Sequence, residues 1–162
     1  MPTNNLSPLR AMRAFLPMII VFSWDAFINN PFGLYGIWPN LDVPMHVLGG
    51  FVTVWSIARV FALLPKSWLP VIRPAWANYF FWLGLVAMVT IAWEIYELIF
   101  DFIHPFPTPM TVADTLGDMV NGLIGANIRL LVQHYLERTR PAREVVKRGQ
   151  TRGRKKTGNQ TT

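Results

Sequence analysis

The chain has 162 residues, 52% of them hydrophobic, and no cysteine; disulfides, thiolate zinc sites and thiol catalysis are therefore excluded. Fifteen Lys and Arg against nine Asp and Glu give a net charge of +6, but nine of the fifteen lie in 138–162, so the remainder is close to neutral. The length suits one domain, and apolar residues gathered in long blocks point to a small polytopic membrane protein rather than a soluble one.

Four apolar segments follow in chain order. The first runs from about Ala11 to Ile28, with Ser7-Pro8 as a helix start and Pro17 inside it. Its n-region-like Arg10 and Arg13 suggest a signal peptide, but no A-x-A site follows and Asp25 stands where cleavage would occur. It reads as a helix. The second segment is Met45–Leu64 and the third is Trp76–Phe100. The fourth, Val112–Tyr135, is the most polar. Between them lie "NNPFGLYGIWPNLDVP", "PKSWLPVIRP" and "HPFPTPMT", rich in residues that stop helices. The expected fold is all-α: a polytopic membrane protein with a four-transmembrane-helix bundle over residues 1–136. Residues 137–162 form a basic tail with the composition of a disordered extension.

Lys and Arg in the flanks set the orientation. Arg10 and Arg13 precede the first segment, Lys66 and Arg73 lie between the second and third, and the tail follows the fourth. The two other linkers hold no basic residue. The positive-inside rule then puts both termini in the cytoplasm of a plasma (inner) membrane protein.

This topology gathers the acids. Glu94, Glu97 and Asp101 close the third segment at its outer end and share a sector of about 60° on a 3.6-residue helix. Asp42 and His46 open the second segment from outside, and Asp114 and Asp118 open the fourth, with Asn121 on the same face. Each charge would cost ~2.5–3.5 kcal/mol if it faced the centre of the lipid, so inward orientation toward His46 is expected. Gly49, Gly50 and the Gly122-x-x-x-Ala126 pattern allow close helix contact there. Asp42 reads as an N-cap with Pro44 just inside the helix, Thr111-x-x-Asp114 as a capping box, and His104 as a loop residue. Asp25, in the outer half of the first segment, fits this acid layer and the interface equally, and Arg59 and Arg129 read as side chains that snorkel to the cytoplasmic side.

Carboxylates with no basic partner cannot all stay ionised in a low dielectric. Either they share protons or a cation balances them. The metal-ligand candidates are His46, Glu94, Glu97, Asp114 and Asp118, with Asn121 and Gly122 supporting the pocket. His with carboxylates suits a divalent metal such as Zn²⁺, Mn²⁺ or Fe²⁺. Three functions use such a pocket. The first is an integral cell-envelope protein whose outward-facing pocket binds a cation or a lipid-linked ligand. The second is a metal-dependent hydrolase or transferase acting on a lipid phosphate, with His46, Glu94 and Asp118 as catalytic candidates. The third is a transporter or proton-coupled subunit, which the sparse polar path through the cytoplasmic half disfavours. Membrane lipids are the expected partners, with contact between the basic tail and anionic lipid, and no nucleic acid is expected.

The order and spacing of "DVPMHVLGGF" (42–51), "WEIYELIFD" (93–101) and "DTLGDMVNGLIGA" (114–126) resemble the VanZ-like and YjdF-type small bacterial membrane proteins. The YjdF-type group is closer, because the Gln- and Arg-containing stretch usual after the Glu in VanZ-like members is missing. The resemblance implies recurring polar positions at His46, Glu94, Glu97, Asp114, Asp118 and Asn121. For the VanZ-like branch it implies a role in the cell envelope.

Overall fold

Ser7 and Pro8 begin the first helix as their chemistry suggests. The Ser7 hydroxyl accepts the Arg10 N–H at 3.2 Å and Pro8 takes the first turn, where its missing N–H costs nothing. The computed structural model describes residues 7–29, 32–104 and 111–157, and their side chains except at 29, 39 and 139–157. Among these residues every regular element is helical. Helix α1 spans Pro8–Trp24 and continues into a π turn, Asp25–Asn29. A short helix α2, Leu34–Ile37, starts from Gly33, whose φ of 62° is left-handed and suits glycine. Helix α3 is Asp42–Leu63, α4 is Ala75–Ile103, and α5 is Val112–Thr157.

Two boundaries differ from the sequence reading for physical reasons. Asp42 is not an N-cap. The 3-10 turn Pro39–Leu41 leads directly into α3, so the backbone at Asp42 is already helical and the capping position falls to Leu41. Helix α5 runs on to Thr157 rather than ending near Tyr135. Hydropathy marks where a helix stops being apolar, not where its backbone hydrogen bonds stop. Residues 158–162, the end of the basic tail, and 105–110, most of the last linker, lie outside the described residues.

Among the described residues three helices are long and apolar enough to cross a membrane: Pro8–Ile28, Asp42–Leu63 and Ala75–Ile103. Helix α5 is not one of them. The 29 residues of α4 rise about 44 Å, more than the roughly 30 Å of a hydrocarbon core. Of the most apolar window in each helix, 39% is buried in α3, against 22% in α4 and 11% in α1. Helix α3 is therefore the centre, and both α1 and α4 pack on it. The chain divides into two compact units, residues 1–129 and 130–162.

The first unit is built inside out relative to a soluble domain. Its buried apolar residues are small: Ala14, Val52, Val54, Val86 and Ala126. Its buried polar residues are Asp25, His46, Thr53, Ser56, Thr90, Glu94 and Asp118. Large side chains such as Phe27, Phe80, Met88 and Phe102 face outward. Lipid tails are as apolar as Phe or Leu, so nothing drives those residues inside, and close packing of small residues joins the helices instead. The glycines show where. A Cβ at Gly50 would run into the Gly122 carbonyl of α5, and one at Gly125 into the Val47 carbonyl of α3. At Gly122 it would lie 3.0 Å from the Thr90 hydroxyl of α4. The hydroxyls of Thr53 and Thr90 donate to the carbonyls of Gly49 (2.8 Å) and Val86 (3.0 Å), one turn back in their own helices. They are thereby satisfied without a partner from another helix.

Candidate functional site

One turn above the Gly50–Gly122 contact stand His46 and Asp118, each four residues earlier in its helix. The close approach of the two backbones therefore brings these side chains together. His46 Nε2 lies 3.7 Å from Asp118 Oδ1 and 3.2 Å from Asp42 Oδ1, one turn back on its own helix. The opposite ring nitrogen, Nδ1, lies 3.8 Å from Glu94 Oε1 on α4. Glu97 follows Glu94 by three residues and shares its face. Two ligand groups result, Asp42–His46–Asp118 and His46–Glu94–Glu97, each offering three atoms that all lie within 4.8 Å of one another.

The spacing is informative. At 3.7 and 3.8 Å the His46 contacts to Asp118 and Glu94 are too long for hydrogen bonds. Ligands bound at about 2.0–2.2 Å around one ion sit roughly 3–3.5 Å apart, close to the separations seen here. Glu94 makes the point most sharply. It is 6% exposed, and neither carboxylate oxygen has a hydrogen-bond partner among the described residues. An ionised carboxylate left this way is among the costliest groups to bury. In total four carboxylates face one imidazole, and even a charged imidazolium balances only one of them.

The structure assembles most, but not all, of the residues singled out from sequence. His46, Glu94, Glu97 and Asp118 meet. Asp114 does not join either group. It is exposed at the start of α5, where it accepts from the Thr111 N–H (3.1 Å) and hydroxyl (2.6 Å) while its own N–H donates to the Thr111 oxygen (3.2 Å). That is the capping box read from the sequence. Gly122 lies in the close contact with α3, and Asn121 is half-buried. His104 ends α4, exposed and stacked on Phe100 with 4.7 Å between ring centroids.

One participant was missed. Asp42 was read as a cap, yet its i, i+4 spacing to His46 already put both on one helix face. Of the two places open to Asp25, the acid layer rather than the interface fits: it is buried at 5% exposure, with the Tyr35 hydroxyl donating to its carboxylate. The π turn that begins at Asp25 shifts the register of α1 there; such turns are rare and frequent at functional sites. Asp25 and His46 are the ionisable residues on the wall of a cavity of about 30 Å³, together with Thr53, Thr90, Trp93 and Gly122. Glu94, Glu97 and Asp118 are not on that wall; they meet the imidazole instead.

Against known proteins, a family profile described as "Predicted membrane protein (DUF2238)" matches residues 9–139. No curated protein and no solved structure matches the chain.

Proposed function

The chain belongs to the DUF2238 family of predicted membrane proteins, and from that premise we propose that it is a cell-envelope protein holding a divalent cation in a membrane-embedded site. One imidazole cannot ligate a single ion through both nitrogens, so the cation sits on the Nδ1 side with Glu94 and Glu97, while Asp42 and Asp118 face Nε2 and orient the ring. One nitrogen donor among carboxylates suits Zn²⁺, Mn²⁺ or Fe²⁺ better than Ca²⁺ or Mg²⁺. The observation that carries this reading is the Glu94 carboxylate, buried with both oxygens lacking hydrogen-bond partners among the described residues. A cation supplies what the surrounding side chains do not.

The same proposal includes a fourth membrane crossing by the first part of α5, with both termini in the cytoplasm of the inner membrane, as the distribution of Lys and Arg favours. The site then lies beneath the outer surface. The nine basic residues of 138–162 keep the C-terminus inside and contact anionic lipid. The envelope role that the VanZ-like resemblance implies fits this placement. A Gly36→Cys variant tests the orientation, because the chain has no other thiol. A membrane-impermeant maleimide should label it in intact cells, and labelling only after lysis would reverse the topology.

Elemental analysis of the purified, detergent-solubilised protein tests the site. The wild type should carry close to one equivalent of a transition metal. Glu94→Gln, which keeps shape but removes the charge, should lose most of it. Asp114→Asn should keep it, since Asp114 only caps α5. Equal metal content in wild type and Glu94→Gln, or none in either, would sink the proposal.

A further inference from the structure

A second cavity adjoins the first. A groove of about 640 Å³ runs between α1 and α4, lined by apolar side chains such as Met12, Phe15, Ile19, Phe27 and Ala92. Among the described residues its only hydroxyls are those of Ser23 and Tyr96. Phe15, Ile19 and Phe27 on its rim are exposed, and α1 buries less of its apolar window than any other spanning helix. The groove therefore opens toward the bilayer. Three residues, Phe22, Val89 and Trp93, line both this groove and the polar cavity beside His46. The partition is thus one side chain thick. Its main elements are the rings of Phe22 and Trp93, with centroids 4.4 Å apart and planes tilted by 53°.

We propose that the groove takes a hydrocarbon chain of a phosphate-headed membrane lipid and presents the head to the His46 site past the Phe22–Trp93 partition. This rests on the cation reading above. An apolar trough open to lipid and continuous with a polar chamber has the shape of an amphiphile. Pockets for compact small molecules run to about 300–1,000 Å³ and bury nearly all of the ligand; this trough has a volume in that range but is open along one side. The head is specified by charge. Carboxylates alone repel an anion, whereas a divalent metal ion held there with open positions binds and polarises phosphoryl oxygens as a Lewis acid. The lipid phosphate therefore completes the coordination that the protein begins.

Native mass spectrometry of the full chain, titrated with dioleoyl phosphatidic acid, dioleoylglycerol and inorganic phosphate, tests this. Phosphatidic acid should bind more tightly than either fragment. Ala92→Trp and Ala26→Trp fill the groove from opposite walls. Each should weaken phosphatidic acid binding about tenfold or more, the scale on which apolar pockets discriminate by size. Both should leave metal content and inorganic phosphate binding unchanged, which also shows that the variants are folded. Unaltered phosphatidic acid binding in both Trp variants overturns the inference and leaves the cation reading standing. So does a shift of the monomer–dimer balance with lipid binding unchanged, since the groove is then filled by a second copy. Equal binding of phosphatidic acid and dioleoylglycerol removes the phosphate from it. A wild type without metal overturns both the reading and the inference.

Discussion

His46→Ala is expected to weaken zinc binding by at least about 100-fold, beyond the range of changes outside the ligand set. The reason is the double use of the ring. Nε2 faces Asp42 and Asp118 while Nδ1 faces Glu94, so one substitution removes the nitrogen ligand and the ring that Asp42 and Asp118 orient. Glu94→Gln removes one carboxylate ligand and Asp118→Asn one of the groups that orient the ring, and each should cost less. His46 is also the only nitrogen donor in either group. Without it the remaining ligands are all carboxylate oxygens, which favour harder ions. Zinc affinity should therefore collapse while magnesium affinity changes by less than about fivefold, a difference under 1 kcal/mol. Equilibrium dialysis of the wild type and His46→Ala against each metal separates the possibilities. Parallel loss of zinc and magnesium would mean that His46 holds the acids in place rather than the ion.

Much of this site was legible because helical periodicity and polarity act together in lipid. Glu94, Glu97, His46 and Asp118 are costly residues at spacings that share faces, and only an inward orientation relieves them. What could not be read were the points where local geometry overrides local preference. Asp42 had every mark of a cap, but the 3-10 turn before it winds the backbone first, and the wound turn leaves no sign in composition. Asp114 had the same residue type and a similar position, and there the cap did form. The π turn at Asp25 and the reach of Tyr35 to it depend on a linker whose Pro and Gly residues signal a break without a path. The small residues of α5 were visible, but not the register that sets Gly50 against Gly122 and Gly125 against Val47. Register between two helices is a relation between faces, and each sequence segment describes only its own.

That register carries the second large effect. Gly50→Ala should destabilise the protein by about 1–3 kcal/mol, the usual range for overpacking a tight contact, and should also weaken cation binding. The added methyl has no room, because the obstacle is the Gly122 carbonyl rather than a flexible side chain. The helices must separate, and His46 and Asp118 stand one turn away on the same two helices. Their 3.7 Å separation lengthens with the backbones, so a substitution that touches no ligand reaches the site. Gly49→Ala is the matched comparison. Its methyl would meet only the tip of the Phe22 ring at 3.9 Å, an ordinary contact. It should be neutral or gain up to about 1 kcal/mol from helix propensity, with affinity unchanged. Gly125→Ala, blocked by the Val47 carbonyl, should behave like Gly50→Ala. Thermal unfolding in detergent gives the stability order and dialysis gives the affinity. If Gly50→Ala and Gly49→Ala were alike in both, α3 and α5 could not be in backbone contact at this level, and the site they share would have no scaffold.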